Sequence, residues 1–364
     1  MENINPIKED QNKLIGLEII RFISAVAVLF WHYQHFSFII DKPIDFDKEK
    51  QPLYWLFTSF YNYGFLGVQV FWCISGFIFF WKYKDLIYSS IVTGRKFFIL
   101  RFSRLYPLHV ATLFLVIILQ AYQINTTQNY YIYQNNDIKH FLLQLFFASS
   151  WGFENGSSFN GPIWSISVEV IVYIIFFITI KLFGKSFFVN ISVLLFCIGA
   201  TYFKMSSPIT HCLAYFYIGG LAAIAFQYFE KNKYHKYIST ICFFISVTAF
   251  YVAYKYNLYA HKNFPWFIMG CMPFVLYISA LRIKTHYTFQ KIIELAGNTT
   301  YSSYLLHFPI QFITIIIFNK LDVSIPWQST SFFLIFMLST FVLSHLSYKY
   351  FEMPSQLFIR KKIN

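Results

Sequence analysis

Apolar residues in this chain arrive in runs long enough to cross a lipid bilayer, and this constrains the fold more than any other feature. A spanning helix needs about 20 mostly apolar residues. Ten such runs are present, at 14–37, 63–82, 99–122, 161–183, 186–203, 209–229, 237–256, 265–282, 299–319 and 330–350. Charged residues make up only 12 % of the 364, where a soluble domain carries about a quarter. So few charges cannot clothe a water-facing surface of this size. The 47 Phe, 28 Tyr and 8 Trp exclude a disordered chain as well. The expected fold class is therefore all-α, a polytopic membrane protein of about ten transmembrane helices. A further apolar stretch, 138–150, is too short to span and reads as an interfacial or re-entrant helix.

The net charge of +13 orients this chain. With the N-terminus in the cytoplasm and sides alternating, 20 of the 29 Lys and Arg fall inside and 8 outside, while Arg21 lies within the first span. That bias follows the positive-inside rule and puts both termini in the cytoplasm. Six of the twenty, Lys82, Lys84, Arg95, Lys96, Arg101 and Arg104, cluster between the second and third spans. The expected organisation is a cytoplasmic tail 1–13, a single transmembrane domain 14–354 and a basic cytoplasmic tail 355–364. The first apolar run is too long for a cleavable signal. The five Cys lie inside apolar runs without a C-x-x-C pair, so neither a disulfide framework nor a metal site is expected. No internal repeat is visible, which counts against the repeat-built transporter folds.

Ionisable groups inside lipid are costly and are functional candidates by default. In the first span, Arg21 and His32 are eleven residues apart, about 20° past three full turns, so they share a face about 16 Å apart along the axis. A purely structural alternative is a Glu18–Arg21 pair at i, i+3 with an interfacial His32. In ILRFSRLYP, Arg101 and Arg104 stand at the cytoplasmic mouth of the third span. Guanidinium groups there suit phosphate, and they also serve as a positive-inside anchor. In NGPIWSISVEVIVY, Pro162 fits a first helical position, and Ser165 and Glu169 share a face about two turns into the membrane. Glu169 needs a cationic partner or a wet cavity there. Ser75 and Gly76 in GVQVFWCISGF offer a close approach for a helix or ligand. His307 in TTYSSYLLHFPI is a further intramembrane imidazole.

Together these elements resemble the acyltransferase 3 family of membrane O-acyltransferases. The family's R-x10-H element is similar to Arg21 and His32, and its G-V-D-x-F-F-x-x-S-G-F element resembles Gly67 to Phe77. Its R-R-x-x-R-I-x-P element resembles Leu100 to Pro107, and its W-S-L-x-x-E element resembles Trp164 to Glu169. Its S-Y-x-x-Y-L-x-H element resembles Tyr301 to His307, and its closing Y-x-x-x-E-x-P resembles Tyr348 to Pro354. Gln69 replaces the usual Asp, and Leu100 replaces the first Arg of the double-Arg element. No esterase-like soluble domain follows the last span, so the membrane domain is expected to act alone or with a separate partner.

The resemblance implies acetyl transfer from cytoplasmic acetyl-CoA, as substrate and not as a resident cofactor, to a hydroxyl of an envelope glycan. The acceptor class favoured is O-antigen lipopolysaccharide or another lipid-linked or surface polysaccharide. Membrane lipids are the other expected partners, nucleic acid is not one, and the expected location is the bacterial inner membrane. His32 is expected to act as general base or transient acyl carrier, with Glu169 orienting it. Arg21, Arg101 and Arg104 are expected to hold the donor, with Ser75, Gly76, Trp164, Ser165 and His307 in support. The alternative from a different class is a transporter of lipid-linked glycan or a proton-coupled carrier without CoA chemistry.

Overall fold

Lipid offers backbone amides no partner, so a chain that crosses it satisfies them within helices. The structure, a computed structural model, describes residues 14–43, 46–261, 264–282 and 285–361. The expected tail 1–13 and the last three residues of the tail 355–364 lie outside the described residues. The helices are α1 (Ile15–Tyr33), α2 (Tyr54–Tyr63), α3 (Gly67–Lys82), α4 (Lys84–Tyr88), α5 (Gly94–Thr127), α6 (Ile138–Leu145) and α7 (Ile163–Phe183). They continue with α8 (Phe187–Tyr202), α9 (Pro208–Glu230), α10 (His235–Lys255), α11 (Phe264–Ser279), α12 (Tyr287–Lys320), α13 (Thr330–Ser347) and α14 (Met353–Arg360). The strand pairing among the described residues is a two-residue hairpin, Phe38–Ile39 against Lys42–Pro43.

Eight helical segments are long and apolar enough to cross a membrane, and the shorter apolar helices α8 and α11 occupy the remaining two runs. All ten apolar runs thus become helices, in a polytopic all-α membrane protein. The stretch 138–150 forms the eight-residue α6, which does not cross. Asp137 caps it by accepting from the His140 amide at 2.8 Å, and Ile138, Leu142 and Phe146 point outward. Large apolar side chains on α8 and α10, such as Phe188, Phe196 and Phe250, are likewise exposed, as a lipid-facing surface requires.

The α3–α9 pair forms the centre of the bundle through glycines. A Cβ on Gly76 would overlap the carbonyl oxygen of Phe216, and one on Gly219 the carbonyl oxygen of Cys73. Small residues let two backbones approach this closely where no hydrophobic drive separates helix from lipid. Gly76, expected to admit a helix or a ligand, therefore admits a helix. Pro309 inside α12 has no N–H, which releases the Leu305 carbonyl four residues earlier. Asn160 takes up that carbonyl, donating to it at 3.3 Å and to Thr112 Oγ1 at 3.0 Å.

Both ends of the described chain come to the same end of the bundle. Arg21, in the first half of α1, shares a cavity with Arg101 and Arg104 near the start of α5. Arg360, at the end of α14, donates to Ser103 Oγ at 3.2 Å. An even number of crossings separates them. Replacing Gly219 with Val should lower stability by about 1–3 kcal/mol or more, because backbone rather than a flexible side chain must yield. A drop in the thermal midpoint of the detergent-purified protein would report it, and Gly199→Ala, where a Cβ meets nothing within 4 Å, should leave the midpoint unchanged.

Candidate active site

Five helices, α1, α3, α5, α7 and α12, enclose an open-mouthed cavity of ≈ 110 Å³. Its lining on α3 runs from Val68 to Phe79, about 16 Å of helix. Arg21, Ser75, Arg101, Arg104, Ser165, Glu169 and Tyr173 all face it, with Tyr301 and Tyr304 from α12. Apolar walls from Phe71, Trp72 and Ile78 surround these polar groups. A cavity of this kind, mostly apolar with a few convergent polar groups, is what a ligand site in a helical bundle looks like.

Each arginine is fixed by a different device. Arg101 lies over the rings of Phe79 and Tyr83, 4.8 and 4.9 Å from their centroids, and donates to Tyr83 Oη at 2.5 Å. The planar guanidinium stacks in a way an ammonium cannot. Arg21 pairs with Glu18 at 3.1 Å. The structural pairing and the cavity-facing position therefore hold together. Arg104 bears electrostatically on two carboxylates, the half-buried Glu169 and the buried Glu352.

Glu169 lies within reach of the Ser75 and Tyr173 hydroxyls, and Arg104 and Arg21 are its nearby cations. Its Oε1 has no hydrogen-bond partner among the described residues. The Ser165 hydroxyl shares a 2.7 Å hydrogen bond with Tyr304 Oη, which also donates to the Pro162 carbonyl at 3.0 Å. Tyr301 Oη donates to the Leu105 carbonyl at 2.5 Å. The α12 tyrosines thus tie α12 to both α5 and α7. Trp164 is set edge-on to Trp72, with centroids 5.8 Å apart. Gln69, with its amide oriented to suit its surroundings, donates to the carbonyls of Phe65 and Leu66, so the neutral replacement serves the start of α3.

His32 lies outside this lining. Its ring neighbours are His35 and His307, each 4.9 Å away between centroids. Gln311 Nε2 donates to the His32 carbonyl at 3.1 Å where α1 gives way to a 3₁₀ turn. His32 Nδ1 and His307 Nε2 have no hydrogen-bond partners among the described residues. No hydrogen bond joins His32 and Glu169 among the described residues. α12 touches both neighbourhoods, with Tyr304 bonded to Ser165 and His307 against the ring of His32, the Tyr304 and His307 rings 6.0 Å apart. Arg21 and His32 share a helix face as their spacing requires, but eleven residues of rise leave only Arg21 in the cavity. Among the described residues no group of three His, Cys, Asp or Glu side chains is arranged to hold a metal ion.

Several site residues escaped the sequence reading. Tyr173 falls one turn after Glu169, a spacing that was legible. Tyr83 and Trp72 carried no such signal, because aromatic residues fill every apolar run. Glu352 stands in a five-residue π-turn, Tyr348–Glu352, and accepts from Ser302 Oγ at 2.5 Å and Ser347 Oγ at 3.1 Å. It lies within the Tyr348–Pro354 element, to which no role was attached. The Tyr304→Phe variant, which removes the bonds to Ser165 and Pro162, should cost about 1 kcal/mol. Thermal unfolding in detergent checks this, and an unchanged midpoint would deny Tyr304 its bracing role.

Comparison with known proteins returns one family. The family model for the acyltransferase domain matches residues 14–349, nearly the whole chain. No curated protein and no solved structure shows significant similarity.

Proposed function

The chain belongs to the acyltransferase 3 family, and from that premise we propose that it moves an acetyl group from cytoplasmic acetyl-CoA to a hydroxyl of an envelope glycan. The coarse activity, acyl transfer by a multi-pass membrane protein, follows from the family and its helices. The matching family model describes an acyltransferase domain, which favours this reading over a carrier. The observation that carries the finer reading is the convergence of Arg21, Arg101 and Arg104 on one cavity with Glu169. A phosphate-rich donor is best held by guanidinium groups. The apolar walls around them suit the thioester-bearing arm. O-antigen lipopolysaccharide or another lipid-linked surface polysaccharide, at a bacterial inner membrane, is the acceptor and location we favour.

In this reading a ring nitrogen of His32 takes the proton from the acceptor hydroxyl as its oxygen attacks the acetyl carbonyl. The C–O bond forms, the C–S bond breaks, and CoA leaves as thiolate. The proton held by His32 then passes to that thiolate, so the products are the acetyl ester and CoA thiol. His307 beside His32 provides a second site for that proton. Glu169, held among Ser75, Tyr173 and two arginines, balances the charge of the donor pocket instead of orienting His32.

Two measurements test the assignment. Arg101→Gln and Arg104→Gln should each weaken acetyl-CoA binding about 10- to 100-fold, the scale of lost charge-assisted hydrogen bonds. Unchanged affinity in both would remove the arginines from the donor site. His32→Ala should retain acetyl-CoA binding while glycan acetylation falls at least about 10²-fold, the ordinary share of a general base. Full acetylation at normal expression would sink the role of His32.

A further inference from the structure

A second pocket lies on the α6–α7 loop, at the end of α7 opposite the basic mouth, and it has the opposite chemistry. Its volume is ≈ 210 Å³, and it is lined by Gln144, Ser149, Ser150, Ser157, Ser158 and Trp164, with Glu154 and two glycines. No Lys or Arg lines it, and its one ionisable side chain is a carboxylate. It offers a phosphate-bearing donor no lining cation, whereas a neutral ligand rich in hydroxyls finds hydrogen-bonding partners.

Two buried polar atoms at this pocket are left without partners. Gln144 is 1 % exposed and spends its amide nitrogen on Ser158, donating to the carbonyl at 2.7 Å and to the hydroxyl at 3.3 Å. Its Oε1 has no hydrogen-bond partner among the described residues, and neither has the Oγ of Ser149, which is 9 % exposed. A buried acceptor left unpaired is costly, so such an atom is met by a water, an ion or a ligand group. The loop is held in place around them. The Ser150 amide donates to Ser167 Oγ at 3.1 Å, and Trp151 Nε1 donates to the Ser167 carbonyl at 2.8 Å.

We infer that this pocket is the subsite for one sugar residue of the acceptor. Gln144 Oε1 accepts a hydrogen bond from a sugar hydroxyl, Ser149 Oγ exchanges one with a second, and Trp164 offers its ring as an apolar wall. Position supports this occupant over others. Ile138 and Leu142 of α6 and Phe146 just after it are exposed on the element that carries Gln144, an apolar surface suited to lipid, where a lipid-linked glycan presents its first sugars. Trp164 also joins the two sites. It lines the polar pocket, packs edge-on against Trp72 of the arginine-lined cavity, and precedes Ser165, which faces that cavity. Donor and acceptor pockets thus meet at the first turn of α7.

The inference rests on the glycan acyltransferase reading, and the test separates the two. Cells deleted for this chain are complemented with wild type, Ser149→Ala or Ser157→Trp. Base-releasable acetyl ester on the surface carbohydrate is measured, together with acetyl-CoA affinity of each purified protein. Ser157 is exposed on the pocket rim, and an indole there fills the pocket without entering the bundle. Ester should fall about tenfold or more with Ser157→Trp, equivalent to losing about 1.4 kcal/mol of acceptor binding. It should fall about 2- to 10-fold with Ser149→Ala, the range for one hydrogen bond. Acetyl-CoA affinity should stay at the wild-type value in both. Wild-type ester in both variants overturns the subsite, as does a Ser149→Ala protein that loses acetyl-CoA affinity along with ester. If Ser157→Trp does not accumulate, Ser149→Ala decides alone. Wild type that neither binds acetyl-CoA nor adds ester fails the functional reading itself, and the subsite falls with it.

Discussion

Charge buried in an apolar bundle must be balanced or it expels itself, and this chain holds three guanidinium groups against three carboxylates in a membrane-spanning interior. Arg21 is paired to Glu18 within its own turn, Arg101 is stacked on two rings and bonded to a phenol, and Arg104 lies in the field of Glu169 and Glu352. Glu352 in turn accepts from two serines. The surrounding packing follows from these needs. Tyr301 and Tyr304 reach across to α5 and α7, and the glycines of α3 and α9 bring the central pair close. What remains is a cavity that is cationic by arrangement and apolar by wall.

That arrangement divides labour along the bundle. The arginines and Glu169 occupy one cavity, the imidazoles of His32, His35 and His307 form a separate group, and the polar loop pocket is a third. α12 links the first two through Tyr304 and His307, and the first turn of α7 links the cavity to the loop through Trp164 and Ser165.

Much of the fold was legible because lipid imposes a length. Each of the ten apolar runs became a helix, though α12 begins twelve residues before its run, and the odd stretch 138–150 became the short α6. Much of the candidate cavity was legible too, since an arginine or glutamate within an apolar run has few explanations. Arg21, Arg101, Arg104, Ser75, Ser165 and Glu169 all face one space. Two readings needed the third dimension. Gly76 could have admitted a ligand or a helix, and only the position of Phe216 on α9 decides between them. Glu169 faces the cavity that Arg21 lines, whereas His32 lies eleven residues further along α1 and meets His35 and His307. Asn160 gave no sign that it completes the hydrogen bonding of Leu305, because that need arises from Pro309 almost 150 residues away.

By itself the sequence determined the class of solvent, which segments become apolar helices and the list of costly polar groups. All three depend on local composition, which the bilayer reads one segment at a time. Only the tertiary structure decided which of those groups meet. Depth in the membrane is a one-dimensional quantity that a sequence carries, while neighbourhood around the bundle axis is set by which helices pack together. That is why Arg21 joins Arg101 and Arg104, and why His32 finds His307 instead of Glu169.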